Sequence, residues 1–419
     1  MLDEYSILSR AKSIGVSAEV LSLESKGYSV YVEKGQKSGS QVIDRGYAIR
    51  VVKDGRVGMA YSTVLDEKVL DYALDTMKVS NQDKDYLLPP GRKVDYLSGV
   101  YYSEVEEPFD KVKEYASYFE GIDNLKINYI QTRSESFMVK VVSTEGVDVQ
   151  ERRTFVSLGV AANTVSGSEV SPEVFESRES RRFDIDLDEV KETLKEKTEI
   201  TSNRTKTEVK GLDVTFTTSA QEELIFPLIN FSFSGENFYR KRSIFYPGED
   251  INPKLRITDS PRREDGVFSR SFDAEGMPTQ ENVLVESSAK TFLTNYYWSR
   301  KASLPHTSSA SRNFTSLPSI SVTNLVIEFK EKSKDVREGT VVVDKVQGVH
   351  TSNPETGEFS VVGSVAWLDD GKKRVGLREI VLTGNIKTLL KNVVSQSSPR
   401  RCGSLISGDL RVSGISLII

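Results

Sequence analysis

The chain has 419 residues, of which 37% are hydrophobic and 28% charged, and its formal net charge is −5. This composition is typical of a folded, soluble protein with two domains and argues against a fibrous or disordered chain. The acidic balance disfavours nucleic acid as a partner, and no run approaches the roughly 20 apolar residues that span a membrane. A single cysteine and an acidic start without signal-peptide features predict a cytoplasmic protein.

In chain order, the N-terminal half predicts a helix, a group of strands and a second helix. Apolar residues recur at helical spacing over residues 2–14 and again over residues 65–77. Between the two helices, Asp54 and Gly55 give a hairpin turn signal within a strand-like stretch. The predicted strands of this half cover residues 17–25, 28–35, 47–62 and 136–146.

The C-terminal half predicts a longer β-rich unit with two core-facing helices. Ser219 and Glu222 have the spacing of a capping box at the start of one helix, and Asn385 precedes the other. Asp370 and Gly371 mark another hairpin. The predicted strands of this half cover residues 323–329, 339–346, 359–368 and 375–382, with further strand-like runs near Leu405 and Leu417.

A change of composition separates the two halves. Residues 192–210 are charged, rich in threonine and nearly free of large apolar side chains, which is typical of a connection between domains. The sequence therefore predicts an α+β protein of two domains. We expect an α/β sandwich-like N-terminal domain over residues 1–200 and a β-rich C-terminal domain with a few core helices over residues 201–419.

The two histidines of the chain do not form a recognisable metal motif. His306 and His350 are far apart in sequence, and Thr307 and Thr351 stand where an HExxH-type motif has its glutamate. A catalytic zinc ion normally takes three protein ligands. The sequence therefore predicts neither a metal ion nor another cofactor on this chain.

Nucleophilic catalysis and phosphate binding also lack their usual motifs. There is no GxSxG turn, no GxxxxGK[ST] loop and no GxGxxG loop. Cys402 follows Arg400 and Arg401, and neighbouring cations favour a thiolate, although a small residue that fills a tight place before Gly403 is the simpler interpretation. No catalytic residue is assigned from these patterns.

Two loops in the C-terminal half have distinctive turn chemistry. One contains Asp273, Glu275 and Gly276 just before a predicted strand, and the other contains Asn353, Thr356 and Gly357 before the next group of strands. Taken separately, both loops are typical of ordinary turns that lead into strands.

Taken together and in this order, these segments resemble a known family. The segments DAEGMPTQENVLVE (273–286) and SNPETGEFSVVGSVAWLDDG (352–371) are similar to motifs of the TldD/PmbA metalloprotease family, also called modulators of DNA gyrase. LREIVLTGNIKTLLKNV (377–393) and the Cys-Gly tail around Cys402 are similar to later motifs of that family. The resemblance covers nearly the whole chain and is closest to the PmbA (TldE) type.

The resemblance implies a specific loss of function. In TldD subunits a helix with HExxxH and a C-terminal cysteine bind zinc, and the glutamate moves a proton. The matching helix here has neither His nor Glu between Ile225 and Phe233, so Cys402 is the one leftover ligand position. The resemblance therefore implies a non-catalytic subunit, a TldD-like partner that carries the zinc, and unfolded peptides as substrates. Whether this chain has enzymatic activity by itself stays open.

Two alternatives remain open from the residues alone. In one alternative, the chain is an independent hydrolase with a site around Cys402, His350 and Asp273. In the other, it is a homo-oligomeric peptide-binding protein, for which a homodimer is the simplest form. If the chain is a non-catalytic protease subunit or a peptide-binding protein, we expect the two turns to contact the peptide. The candidate residues are Asp273, Glu275, Gly276, Asn353, Thr356 and Gly357.

Overall fold

The structure is a computed structural model, and it describes residues 3–122, 124–166, 169–378 and 380–418. Its N-terminal half is built on one antiparallel sheet of six strands in the order β3-β2-β1-β4-β5-β8. A small separate hairpin is formed by β6 and β7. The strands of this half are β1 Ser17–Glu33, β2 Gln36–Lys53, β3 Arg56–Ser62, β4 Lys126–Ser143, β5 Asp148–Asn163, β6 Val165–Ser166, β7 Glu169–Val170 and β8 Val174–Ser180.

Four helices pack on this sheet because their apolar residues fall on one face. They are α1 Glu4–Ser13, α2 Glu67–Val79, α3 Phe109–Tyr118 and α4 Leu187–Ile200. Asp3, Asp66 and Asp186 cap the first, second and fourth helices by accepting backbone hydrogen bonds from their first turns. Helices α1 and α2 share one apolar core with the strands, and α3 and α4 share another.

The first helix, the second helix and the hairpin at Asp54 are confirmed within a few residues. Both Asp54 and Gly55 have positive φ, as a two-residue hairpin turn requires. Three strand predictions were incomplete. Strand β4 begins at Lys126, ten residues before the predicted start at residue 136, and ends at Ser143. Strand β1 is continuous through Lys26 and Gly27, and β2 begins at Gln36 because the polar stretch before Tyr47 pairs in full with β1.

The outer half of β2 has an open edge. Strand β3 pairs with β2 only from Tyr47 to Lys53. Among the described strands, none pairs with the outer side of residues 36–46, and the side chains from Gln36 to Arg45 are exposed. Backbone N–H and C=O groups on this side are therefore free to pair with another extended segment.

The first part of the predicted connection between the halves is helical. Helix α4 ends at Ile200, and Val190 and Leu194 are fully buried against the sheet. The high charge of this segment reflects the outer face of the helix. Lys197 is also buried, where its ammonium group contacts Asp344 at 2.8 Å. The polypeptide that joins the two halves therefore begins after Ile200.

The C-terminal half contains two larger sheets and a small hairpin. One sheet has the order β12-β11-β10-β15-β22-β21, and the other has the order β20-β23-β9-β16-β17-β19-β24 with β18 paired to β17. The strands are β9 Asp213–Phe216, β10 Leu255–Asp259, β11 Asn282–Glu286, β12 Ser288–Ala289, β13 Ala310–Ser311, β14 Ser319–Ile320, β15 Leu325–Phe329, β16 Thr340–Gln347, β17 Glu358–Asp369, β18 Arg374–Gly376, β19 Ile380–Asn385, β20 Val393–Gln396, β21 Arg400–Cys402, β22 Leu405–Ser407, β23 Leu410–Val412 and β24 Ser416–Ile418.

Helix α5 joins the apolar residues of both C-terminal sheets into one core. The side chain of Thr217 accepts the capping hydrogen bond from the amide of Ala220, so the helix begins before the predicted capping box at Ser219 and Glu222. Asn385 caps its helix as predicted. The helices are α5 Thr218–Ser232, α6 Gly235–Tyr239, α7 Tyr296–Lys301 and α8 Ile386–Lys391. In the described parts of the chain, no helix is long and apolar enough to cross a membrane.

Candidate functional site

Three of the sequence candidates lie in one buried turn between β10 and β11. The carboxylate of Asp273 accepts hydrogen bonds from the backbone N–H groups of Glu275 and Met277 at 2.9 and 3.0 Å. Gly276 has φ +75°, a conformation that glycine adopts readily. The side chains of Asp273 and Glu275 are 1% and 0% exposed. Local hydrogen bonding therefore explains why this turn needs an aspartate and a glycine.

Glu275 ties this turn to the N-terminal sheet. Its carboxylate lies 2.8 Å from the guanidinium of Arg50, which in turn lies 2.8 Å from Glu19. Arg312, from the C-terminal half, also pairs with Glu19. Glu275 accepts a further hydrogen bond from the amide of Tyr296 at 2.7 Å. We call Arg50 and Arg312 the paired arginines, because the carboxylates of Glu19 and Glu275 balance their two charges.

Burial changes the proton affinity of this turn. Desolvation raises the pKa of Asp273 to about 7, and the neighbouring charge of Glu275 adds to the rise, whereas Arg270 opposes it. The three backbone N–H groups that face the carboxylate also favour its ionised form, the third being that of Ala310 at 3.1 Å. Asp273 is therefore a group whose charge changes near neutral pH.

His306 lies beside the same turn. Potential ligand atoms of Asp273, Glu275 and His306 lie within 4.8 Å of one another, and within the described ranges this is the only such group of three. Burial lowers the pKa of His306, and its Nε2 atom has no hydrogen-bond partner among the described residues. The carboxylates, however, are already engaged by Arg50 and by backbone N–H groups. The group has the residue types of a cation site but a charge balance that is complete without a cation.

The second predicted turn is hydrogen-bonded to the residue that caps α8. The side chain of Asn353 accepts a hydrogen bond from the amide of Glu355, and the amide of Gly357 donates to the carbonyl of Asn353. The amide group of Asn385, which caps α8, donates to the carbonyl of Thr356 at 2.8 Å. The NPxTG-like and GN-like segments are therefore parts of one local structure.

The two turns are separate in their bonding and exposure. Asn353 and Thr356 are exposed, in contrast to the buried Asp273 and Glu275. Among the described residues, no hydrogen bond or ion pair joins one turn to the other. Contact of either turn with a peptide stays a prediction, and the carboxylates of Asp273 and Glu275 in the first turn are buried.

Cys402 lies against the first turn of α5. Its Sγ atom is 4.0 Å from the hydroxyl of Ser219. Burial raises the pKa of the thiol to about 11, so the neighbouring Arg400 and Arg401 do not produce the thiolate that their positions in sequence suggested. His350 is exposed in a short turn at residues 349–351. Within the described ranges, Cys402, His350 and Asp273 do not form a group of ligand or nucleophile atoms.

The residues of α5 do not fit a zinc site. The helix contains no histidine, and its side chains Leu224, Ile225, Leu228 and Ile229 are core residues of the C-terminal half. Since zinc is held by Cys, His and carboxylate ligands in tetrahedral sets, Cys402 and this helix do not supply a first coordination shell. No catalytic step through zinc is derived for this chain.

Comparison with known proteins assigns the family. Residues 18–78, 87–202 and 210–418 match the first, central and C-terminal domains of the PmbA/TldA metallopeptidases. The fold is that of TldE from Thermococcus kodakarensis, with a TM-score of 0.89, 20% identity and 99% of each chain covered. The chain therefore belongs to the PmbA/TldD metallopeptidase family. The three matched segments subdivide the N-terminal half, and the predicted division into two domains stays a prediction.

Sequence relatives extend the comparison. An uncharacterized protein of Methanocaldococcus jannaschii is 27% identical, with 99% of each chain covered. A metalloprotease PmbA homolog of Buchnera aphidicola is 31% identical over 44% of this chain and 42% of its own length. The metalloprotease PmbA of Escherichia coli is 26% identical over similar shares. The chain thus spans less than half of the bacterial PmbA relatives that it matches.

Proposed function

We propose that this chain is the non-catalytic subunit of a zinc metalloprotease complex of the TldD/PmbA type, which acts on unfolded peptides in the cytoplasm. A separate TldD-like subunit carries the zinc ion and the general base, and this chain helps to hold the peptide. The observation that carries the proposal concerns helix α5, which the sequence resemblance matches to the family's zinc-binding helix: it contains no histidine, and Leu224, Ile225, Leu228 and Ile229 are core side chains.

The state of Cys402 supports the same proposal. A zinc ligand or a nucleophile must be a thiolate, and the raised pKa of this thiol keeps it protonated near neutral pH. Its contact with Ser219 is a packing contact at the start of α5. These features favour a structural role for Cys402 over the alternative of an independent cysteine hydrolase.

The open edge of β2 supports a role in peptide handling. Its outer side from Gln36 to Gly46 presents a row of backbone N–H and C=O groups on an extended strand. Backbone pairing at a sheet edge holds an extended peptide with little dependence on its sequence. Such pairing suits a protein that receives unfolded chains of many sequences.

Association with a TldD-like protein tests this proposal. The two purified chains are mixed, sized by light scattering, and assayed for cleavage of a disordered peptide with and without a zinc chelator. We expect a complex whose zinc-dependent cleavage exceeds that of the TldD-like chain alone and is unchanged by Cys402→Ala. Failure of the chains to associate contradicts the proposal.

The same experiment separates the alternatives. Chelator-resistant cleavage by the isolated chain, lost in Cys402→Ala, identifies an independent hydrolase. A stable homodimer that binds peptide and does not associate with the TldD-like chain identifies a homo-oligomeric peptide-binding protein.

A further inference from the structure

A cavity of about 410 Å³ lies between the N-terminal sheet and the C-terminal half. Arg153 from β5, Arg181 at the end of β8 and Arg270 from the loop before β11 all line it. Arg153 and Arg181 are 9% and 7% exposed. We call these three residues the cavity arginines. Three guanidinium groups at one largely buried cavity are unusual, because each carries a full positive charge and must be compensated.

The compensation within the chain is incomplete. Arg153 pairs with Glu151 at 2.5 Å. Among the described residues, neither Arg181 nor Arg270 has a carboxylate within 4.0 Å, and Arg181 donates to the backbone carbonyls of Val100, Thr154 and Ser269 instead. Glu135, which also lines the cavity, is paired with Arg133 at 2.6 Å. The charges of Asp273, Asp259 and Glu151 act on Arg270 from beyond 4.0 Å, so its charge is compensated at a distance and without a direct ion pair.

Arg270 has a buried donor without an acceptor. The one hydrogen bond of its side chain among the described residues runs from Nη2 to the carbonyl of Ala310 at 3.2 Å, and its buried Nε–H has no acceptor. Arg50 Nε and Arg312 Nη1 also lack acceptors, but both residues have carboxylate partners and neither lines the cavity. An oxyanion in the cavity would give Arg270, which lines it, the direct anionic partner that this side chain lacks.

The guanidinium of Arg153 is repelled by each of the other two cavity arginines. Burial lowers the pKa of Arg153, and the charge of Arg270 lowers it further. Burial and the charge of Arg153 lower the pKa of Arg181 to about 10. Electrostatic repulsion of this kind is relieved when an anion binds.

The rim of the cavity suits a peptide better than a small ion. Phe155 and Phe268 lie at the cavity with their ring centroids 6.0 Å apart, and Phe268 is 39% exposed. Phe137 lines both this cavity and a neighbouring groove of about 470 Å³. That groove continues across the sheet to Ile43 and Asp44 on the open half of β2. An extended chain that ends in the cavity therefore has an apolar rim and a path along the sheet.

We propose that the cavity arginines bind the C-terminal carboxylate of an extended peptide, with Arg270 as the principal contact and the adjacent phenylalanines holding the last side chain. The peptide then runs from the cavity towards the open edge of β2. This inference rests on the proposed role in peptide handling and adds to it the part of the substrate that is recognised.

Paired peptides test the inference on the intact chain. A disordered peptide with an N-terminal fluorophore is prepared with a free C-terminal carboxylate and, separately, with a C-terminal amide, and binding is measured by fluorescence anisotropy. We expect the free acid to bind about tenfold tighter, which corresponds to ~1.4 kcal/mol, because a charged hydrogen bond is lost in the amide. Equal affinities of the acid and the amide overturn the inference.

Two variants locate the effect. In Arg270→Gln the preference for the free acid falls below about twofold, since the principal cationic contact is removed. The matched control is Arg263→Gln, on the same loop, whose side chain pairs with the exposed Asp265. The control keeps the full preference. A preference that survives unchanged in a folded Arg270→Gln protein contradicts the assignment of the site, and if that variant does not fold, the acid and amide comparison on the unchanged chain decides.

Competition separates a peptide terminus from a simple anion site. Inorganic phosphate is added at the same concentration at which the peptide saturates the site. If the carboxylate and the last side chain are recognised together, phosphate leaves binding of the free acid intact. Displacement by phosphate with equal affinity assigns the cavity to small anions and overturns the peptide assignment. The inference also fails independently of the proposed function, because association with a TldD-like chain does not require any preference for the free acid.

Discussion

Two sets of buried arginines lie between the N-terminal sheet and the C-terminal half, and they differ in charge balance. The paired arginines, Arg50 and Arg312, share two carboxylates, those of Glu19 and Glu275. The three cavity arginines have one carboxylate within 4.0 Å among the described residues, that of Glu151. Buried ion pairs in direct contact fix the relative position of two parts of a fold, whereas buried charges without a direct partner cost stability and, at a cavity, are typical of binding sites.

The Asp273–Met277 turn connects the two sets. Glu275 bonds Arg50 on one side, and the charge of Asp273 acts on Arg270 on the other. A perturbation of the paired arginines is therefore expected to affect stability, and a perturbation of the cavity arginines is expected to affect binding. The following predictions test this difference.

Glu19→Gln gives the largest expected effect. It leaves Arg50 and Arg312 with Glu275 as their remaining carboxylate, and breaking a buried ion pair from one side costs about 3–5 kcal/mol. Chemical denaturation followed by circular dichroism measures the loss as a lower midpoint. Glu24→Gln is the control, because Glu24 on β1 pairs with the exposed Arg45 on the neighbouring strand β2. Equal midpoints for both variants would show that the paired arginines do not hold the two halves together.

Gly276→Ala tests the turn that connects the two sets. A Cβ atom there lies 2.4 Å from Val147 Cγ1 of the N-terminal half, and the backbone has φ +75°. Gly211→Ala is the matched control, since Gly211 has φ +80° and no atom within 4 Å of its added Cβ. We expect Gly276→Ala to lose about 1–3 kcal/mol more than the control, because overpacking adds to the shared backbone cost. Thermal unfolding of both variants measures the difference.

The carboxyl group of Asp273 gives a pH dependence. Its pKa is raised to about 7 in the folded protein, well above the ordinary value of 3.8 for an aspartate. The folded state therefore binds the proton more tightly, and the stability from this group is complete below about pH 4 and is lost as the pH rises through about 7. The fall in denaturation midpoint between pH 5 and pH 8 should be smaller in Asp273→Asn than in the unchanged chain. A control, Asp44→Asn on the exposed strand, should keep the full fall.

Arg270→Gln gives the smallest expected change in stability. Because no carboxylate lies within 4.0 Å of its side chain in the described ranges, and Asp273, Asp259 and Glu151 act on it only from further away, its loss should alter stability by less than about 1 kcal/mol. The denaturation midpoint, measured beside that of Arg263→Gln, checks this. A loss as large as that of Glu19→Gln would place Arg270 among the structural arginines and remove the contrast between the two sets.

The sequence predicted those elements whose apolar residues follow one period. Helices α1 and α2 and the hairpins at Asp54 and Asp370 are examples, since local spacing and turn chemistry determine them. The outer half of β2 was missed because residues 36–45 are exposed on both faces, and such a strand has no apolar alternation. Its pairing with β1 is a tertiary effect.

Both turns of the candidate site could be located from sequence, but the arginine sets could not. Glu19 and Arg50 come from two strands, and Arg153, Arg181 and Arg270 come from three distant segments, so no local spacing joins them. Strand β5 contains one sequence signal of the cavity arginines. Glu151 and Arg153 alternate in register with the buried Val149 and therefore lie on the same face of the strand. Charged residues on the inward face of a strand indicate a buried ionic site without naming its partners.

The packing of Cys402 has a consequence for the oxidative chemistry of the chain. Thiol–disulfide exchange and oxidation by peroxides both begin with the thiolate, and a thiol with a pKa of about 11 has very little thiolate near neutral pH. Because Cys402 is the only cysteine, disulfide-linked dimers of the chain have no other sulfur through which to form. The protein therefore carries its one sulfhydryl in a form that resists covalent cross-linking in air.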